Sequence, residues 1–333
     1  MRWPDRNEIA RHPEAVAIAL LLVTVSIWGA TPQVTSIASS YTRPLTLTTL
    51  RVVPTALVLL LALPLLRFRL PRGRRAWLYT AAGGVLMVGV FLGCFTEAVI
   101  KAGPGNAIVL ASTSPFWVAI LSRWLYGERL SLRATAGLVI GFGGVVVVFS
   151  SQLGAQGSAG RTVAGLALAL SASLGWALGT LIVKRQLTHQ PDTDLMGVVA
   201  GQYMVGGVIL VALSMAVEGT AGTRWSAPSL WLSVAFISVV GSALATIAYF
   251  GALRVVSATR ATTWSFLSPV VAILIGAGLG TIPSALALFG MAVTIAGVFI
   301  VNLPARAAPA MALRPLEASV EPEIVSSASS AAP

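Results

Sequence analysis

Histidine, cysteine and charge are all scarce in this chain. Of its 333 residues two are histidine, one is cysteine and 10% are charged, against about 25% charged in soluble globular proteins. The lone Cys94 sits in an apolar run and can form no intrachain disulfide, so the redox compartment stays undetermined. His12 and His189 lie outside the apolar runs, no aspartate falls inside one, and H-E-x-x-H is absent. A hydrolytic enzyme needs a nucleophile with its base, an aspartate pair or a metal, so neither an intramembrane enzyme nor a metal site is expected. Gly276, Gly278 and Gly280 mimic a nucleotide loop only superficially, because no strand precedes them and no lysine follows. With no ATP-binding motif, direct ATP drive within the chain is not expected.

What the chain has in abundance is apolar length. Hydrophobic residues make up 56% of it, at a mean hydropathy of +0.86. A bilayer core about 30 Å thick needs roughly 20 apolar residues in a helix, and ten such runs occur, near 15–37, 44–66, 77–99, 104–124, 132–150, 163–183, 195–217, 229–251, 259–280 and 284–302. Their length, with frequent Gly and Pro, predicts an all-α integral membrane protein rather than a barrel. Arg2, Arg6 and Arg11 ahead of the first run imitate a secretion signal, but the run is too long and nine others follow it.

The net charge of +11 is distributed by topology. With the N-terminus in the cytoplasm, only Arg43, Lys101, Arg161 and Arg224 fall in outer segments and Arg51 inside a run, and the rest of the 22 basic residues lie on the inner side. They form no stripe that could follow a phosphate backbone, so a nucleic-acid partner is not expected. Contact with anionic lipid is. Both termini are expected in the cytoplasm, and the tail 303–333, rich in Ala, Pro, Ser and Glu, is expected to be disordered.

The two halves repeat each other. Trp28 aligns with Trp176, Phe95 with Tyr249, Ala107 with Ala261, Ser114-Pro115 with Ser268-Pro269, Gly127 with Gly280, Gly137 with Gly290 and Gly144 with Gly297. The offset is 148 at the tryptophans, 154 at the prolines and 153 at the later glycines, a one-residue slip. The chain therefore divides into an N-terminal segment 1–14, a first repeat 15–150, an outer linker 151–162, a second repeat 163–302 and the tail. Five spans is an odd number, so the copies are inverted, a plan recurrent in secondary transporters that puts the site near the midplane between repeats.

Pro115 and Pro269 fall about halfway along spans four and nine. Each is predicted to kink its helix as a hinge, with Ser114, Ser268 and cavity water serving the freed carbonyls.

The motifs resemble those of the drug/metabolite transporter superfamily, specifically its EamA-type ten-helix permeases, over nearly all of 15–302. The features are "SIWGA", "RPLTLTTLR", "STSP", "YGERLS" and "GLVIGFGGVVVVF" in the first half, and "LGWALGT", "AYFGALRVVSATRA" and "FLSPVVAIL" in the second. The resemblance implies a bacterial inner-membrane permease, often an exporter of amino acids or other small metabolites, without a bound cofactor. It leaves the substrate unnamed. The chain departs from the pattern where Glu128 aligns with Thr281, where Arg51 has Gln202 as its approximate counterpart, and in having Glu97 in span three. A nucleotide-sugar or sugar-phosphate transporter is the alternative, but it calls for two or more basic cavity residues and only Arg51 is available. A channel or a membrane scaffold is the remaining contrast.

Ionisable groups within the bilayer need a partner or a purpose. Arg51 and Glu97 sit on the order of 5–10 Å deep on the same side. Either they pair, hold a zwitterionic substrate or move a coupled proton, or Arg51 snorkels while Glu97 is wetted from outside. Trp28 and Trp176 lie too deep for an interfacial belt and either wall a cavity or pack. Asn106, Gln202, Tyr203, Tyr249, Trp264 and Ser265 are further candidates for a small-molecule substrate site, or for interhelical hydrogen bonds. The spacings Gly137/Gly141, Gly175/Gly179 and Gly197/Gly201 suit close helix packing or a homodimer seam.

Overall fold

The structure is a computed structural model and describes residues 13–127, 130–148, 150, 159–278, 280 and 282–303. Glu128, the tail beyond Leu303 and most of segments 1–14 and 151–162 lie outside the described residues. The described chain is all-helical, with ten membrane-type helices: α1 (Pro13–Ser39), α2 (Pro44–Leu65), α3 (Arg74–Ala102), α4 in two pieces (Pro104–Ala111 and Ser114–Tyr126), α5 (Leu132–Val148), α6 (Ala159–His189), α7 (Leu195–Val217), α8 (Pro228–Leu253), α9 in two pieces (Ala258–Thr263 and Leu267–Gly278) and α10 (Ala285–Asn302). Nine have the length and hydropathy to cross a bilayer, and α5 is a shorter apolar helix of 17 residues. Pro44, Pro104 and Pro228 each stand first in a helix, where the absent N–H has no intrahelical acceptor to lose.

The helices of one repeat pack chiefly against those of the other. α1 lies against α8 and the second piece of α9, and its counterpart α6 lies against α3 and α4; α2 packs on α7 and α5 on α10. The α5–α10 seam shows the inversion at atomic scale. A Cβ on Gly144 would fall 2.7 Å from the Gly290 carbonyl oxygen and one on Gly290 would fall 2.9 Å from that of Gly144, while Gly137 and Gly297 repeat the relation at 2.9 and 2.7 Å. Because Gly137 corresponds to Gly290 and Gly144 to Gly297, each contact is returned by its mate, as at a two-fold axis.

These close approaches redirect the small-residue spacings. Gly137 and Gly141 meet α10, Gly175 and Gly179 meet Leu86, Met87 and Val90 of α3, and Gly197 and Gly201 meet the chain around Arg69 and Thr80. All three seams are filled within the molecule and are not homodimer surfaces.

Two features depart from the expected straight or kinked helices. First, α3 and α8 each contain a π-helical stretch at matching places, Gly84–Val90 and Phe236–Leu244. Second, Pro115 and Pro269 do not kink the middle of a helix. Pro115 stands at the start of the second piece of α4, and Pro269 is third in the second piece of α9, after a 3-10 turn at Trp264–Phe266. The preceding piece has already ended, at Ala111 in α4 and at Thr263 in α9, so proline falls in the first turn of a new helix where its missing N–H does little harm. The second pieces of α4 and α9 both run as unbroken α-helix, Ser114–Tyr126 and Leu267–Gly278, so no bulge inside either takes up the one-residue slip. The later glycines of the pair, Gly127 and Gly280, both have positive φ, at 67° and 93°.

Candidate functional site

Where the repeats meet, aromatic rings from four helices converge. Trp28 of α1 and Trp176 of α6 stand edge to face with centroids 5.0 Å apart, and Tyr249 of α8 lies 5.4 Å from the first and 5.3 Å from the second. Phe91 of α3 adds a fourth ring 4.8 Å from Trp176, and Phe95 stacks on Phe91 at 5.7 Å. Trp176 and Tyr249 are 7% and 1% exposed, whereas Trp28 is half-buried. The Tyr249 hydroxyl shares a 3.4 Å contact with that of Thr180. These centroid separations are those of favourable ring pairs, so in this conformation the centre is closed by its own aromatics.

Both broken helices flank this cluster, with α4 on α6 and α9 on α1. Their breaks are served by hydroxyls, though not by the expected ones. Thr113 donates to the Leu110 carbonyl at 2.6 Å and shares a 2.8 Å contact with Ser173 of α6, and Ser265 donates to the Thr262 carbonyl at 2.7 Å. Ser114 is buried, and the Ser268 hydroxyl is buried without a partner. The geometric reason is that Thr113 and Ser265 sit three residues after the terminal carbonyls they cap, within reach of a side chain folding back.

Arg51 and Glu97 do not pair. The Arg51 guanidinium donates to Ser242 Oγ at 2.7 Å and to the Gly241 carbonyl at 3.2 Å, both in the π stretch of α8. Ser242 in turn donates to the Ile237 carbonyl five residues back, and Thr55 donates to that of Ser238. A π turn leaves carbonyls off the ordinary i−4 ladder, and α2 supplies the donors for them. Glu97 forms an ion pair with Lys101 of its own helix.

Gln202, the counterpart of Arg51, faces the π stretch of α3, where a Cβ on Gly84 would fall 2.6 Å from its carbonyl oxygen. It is 1% exposed, and neither its amide nitrogen nor its amide oxygen has a partner. The two repeats thus differ at equivalent points: one π stretch is stitched by an arginine and the other is faced by an unbonded amide.

The remaining predicted residues are dispersed. Tyr203 of α7 bridges to Thr246 of α8 at 3.2 Å, and Asn106 donates to the Ala102 carbonyl at 2.7 Å. Trp264 turns away from the centre to donate to Asn302 of α10 at 3.2 Å; Arg260 reaches the same Asn302 oxygen at 3.4 Å and Glu14 of α1 at 3.2 Å. Residues missed by the sequence reading are Phe91, Thr180, Ser242, Thr55 and Trp117, whose indole nitrogen is buried and unpartnered. Phe91 had one available signal, its helical spacing of one turn from Phe95.

Inverted five-helix repeats, broken helices facing each other and an aromatic centre between them define a membrane transporter of the inverted-repeat class. The chain belongs to the EamA-like transporter family, whose model matches residues 15–150 and again 163–303. It is 28% identical to the uncharacterised transporter YvbV of Bacillus subtilis, over 90% of this chain and 96% of that one. It is 32% identical to the uncharacterised inner membrane transporter YedA of Escherichia coli K12, over 76% and 79%. A Salmonella typhimurium protein named "Probable amino-acid metabolite efflux pump" is 25% identical over 84% and 93%. One solved crystal structure shares the fold with a TM-score of 0.73 at 22% identity, covering 87% of this chain and 97% of that one. The protein is a multi-pass membrane transporter of small molecules.

Proposed function

We propose that the protein exports amino acids or related small metabolites across the bacterial inner membrane by alternating access, with both termini in the cytoplasm. The observation that carries this reading is the aromatic centre of Trp28, Trp176 and Tyr249, held between repeats and flanked by two helices already broken at its level. In the proposed cycle the pieces of α4 and α9 rock about Ser114-Pro115 and Ser268-Pro269, the rings separate, and substrate lies between them. Gln202 and Ser268, buried and unbonded, supply polar contacts when the centre opens. The Salmonella relative supports the substrate class, and the positive-inside distribution supports the orientation.

Arg51 is a structural clamp in this scheme, since its donors face Ser242 and Gly241. That weighs against sugar phosphates as cargo. Glu97, paired with Lys101, is given no step in the proposed cycle. The test is uptake by proteoliposomes of labelled amino acids, sugars, sugar phosphates and lipophilic cations, with and without an imposed pH gradient. Counterflow of amino acids that persists without the gradient is the expected result. Movement of sugar phosphates alone would overturn the substrate class.

A further inference from the structure

The densest charge in the described chain lies outside this site, in the turn between α2 and α3. Arg67, Arg69, Arg72, Arg74 and Arg75 follow one another there and all are exposed. Among the described residues the ion pairs are Glu97–Lys101 and Glu14–Arg260, so none of these five guanidinium groups is neutralised by a carboxylate.

The turn is built rather than loose. Phe68 N–H donates to the Leu63 carbonyl at 2.9 Å, and Arg69 N–H donates to Asp194 Oδ2 at 2.8 Å. Arg67 has φ 58° and Gly73 φ 84°, so the chain reverses within a few residues. Gly197 of α7 admits the turn closely: a Cβ there would fall 3.2 Å from the Leu70 Cα. Asp194, the carboxylate that reaches this turn, accepts from its backbone and forms no ion pair with an arginine side chain of the turn.

Exposed apolar groups precede and interleave the arginines. Leu65, Leu66 and Phe68 are 81%, 56% and 39% exposed. At the end of a spanning helix such residues lie against acyl chains, while guanidinium groups a residue or two away reach headgroup level. Guanidinium forks bind phosphate oxygens in bidentate fashion, and each basic residue near an anionic surface adds attraction.

We propose that the α2–α3 turn is a binding site for an anionic phospholipid of the phosphatidylglycerol type, with the phosphodiester held by the arginines and an acyl chain along Leu65, Leu66 and Phe68. The apolar flank selects a lipid over a free phosphate, since a soluble anion gains nothing from it.

The experiment is native mass spectrometry of the purified full chain released from micelles holding equal phosphatidylglycerol and phosphatidylcholine. The protein retains phosphatidylglycerol adducts; R67Q/R69Q/R72Q/R74Q/R75Q lowers their retention by about tenfold or more, and R123Q/R185Q/R224Q leaves it within about twofold. Excess inorganic phosphate does not displace the lipid. Equal retention by the fivefold variant, an equal loss in the control, or displacement by phosphate overturns the proposal. If the fivefold variant fails to fold, R72E/R74E in the same measurement decides: a clear fall in phosphatidylglycerol adducts upholds the site and an unchanged count overturns it.

Discussion

Gln202 is where a single side chain separates folding from function. An amide that is 1% exposed and bonded to nothing destabilises the structure that holds it, because its desolvation is not returned by hydrogen bonds. Gln202→Leu keeps the volume and removes that penalty. Its melting temperature is therefore expected to match or exceed that of the parent, by the equivalent of about 1–3 kcal/mol, while transport falls because the opened centre loses a polar contact. Thermal unfolding in detergent and proteoliposome uptake read the two effects separately; loss of both together would mark Gln202 as a packing residue only. Trp176→Ala behaves differently. Deleting a buried ring costs about 3–5 kcal/mol and removes three ring contacts at 4.8–5.3 Å, so stability and transport fall together, and Trp176→Phe recovers stability first. Glu97→Gln, which breaks an ion pair but removes no proposed step, is expected to keep its uptake within about twofold across the pH gradient; abolition of gradient-driven uptake would assign Glu97 to proton transfer after all.

At the scale of elements, the breaks in α4 and α9 were half legible in the sequence. Pro115 and Pro269 were visible and their symmetry pointed to spans four and nine, but proline gives the same letter whether it distorts a helix or begins one. What decides is whether the preceding residues have already left the helix, and Ser112-Thr113 carry no mark of that. The π stretches were not legible at all, since "GVLMVGV" and "FISVVGSAL" read as ordinary apolar helix. Nor was the partner of Arg51, because Ser242 lies 191 residues away and hydropathy ignores a lone hydroxyl. The aromatic centre was legible through duplication: Trp28 and Trp176 match each other, and Tyr249 matches Phe95. Pro115→Ala with Pro269→Ala lets each pair of pieces fuse into one helix. The double variant is expected to insert and fold but to transport at a small fraction of the parental rate; full uptake would remove the hinge from the mechanism.

The two repeats are related by an approximate two-fold but their ends are unequal, and in the proposed cycle that inequality biases which way the centre opens. At the end where α1 begins and α10 finishes, Arg260 of α9 ties Glu14 of α1 to Asn302 of α10, and Trp264 joins the same Asn302 oxygen. Arg260 and Glu14 are 29% and 66% exposed, so the ion pair contributes only about 0–1 kcal/mol to folding. A bond that weak still shifts the ratio of two conformers by up to about fivefold. With the bond intact, Arg260 on the first piece of α9 is tied to α1 and α10, and in the proposed cycle that tie holds this end shut. Arg260→Ala removes the latch without touching the aromatic centre. The expected result is a melting temperature close to the parent's and, in a Cys94→Ser background carrying Ser268→Cys, up to about fivefold faster labelling by an impermeant maleimide from that end. Labelling from the opposite end falls by the same population rather than by the same factor, because what one conformer gains the other loses. If both rates are unchanged, the Arg260 cluster only braces the fold, and closure of that end rests on the packed rings of Trp28, Trp176 and Tyr249.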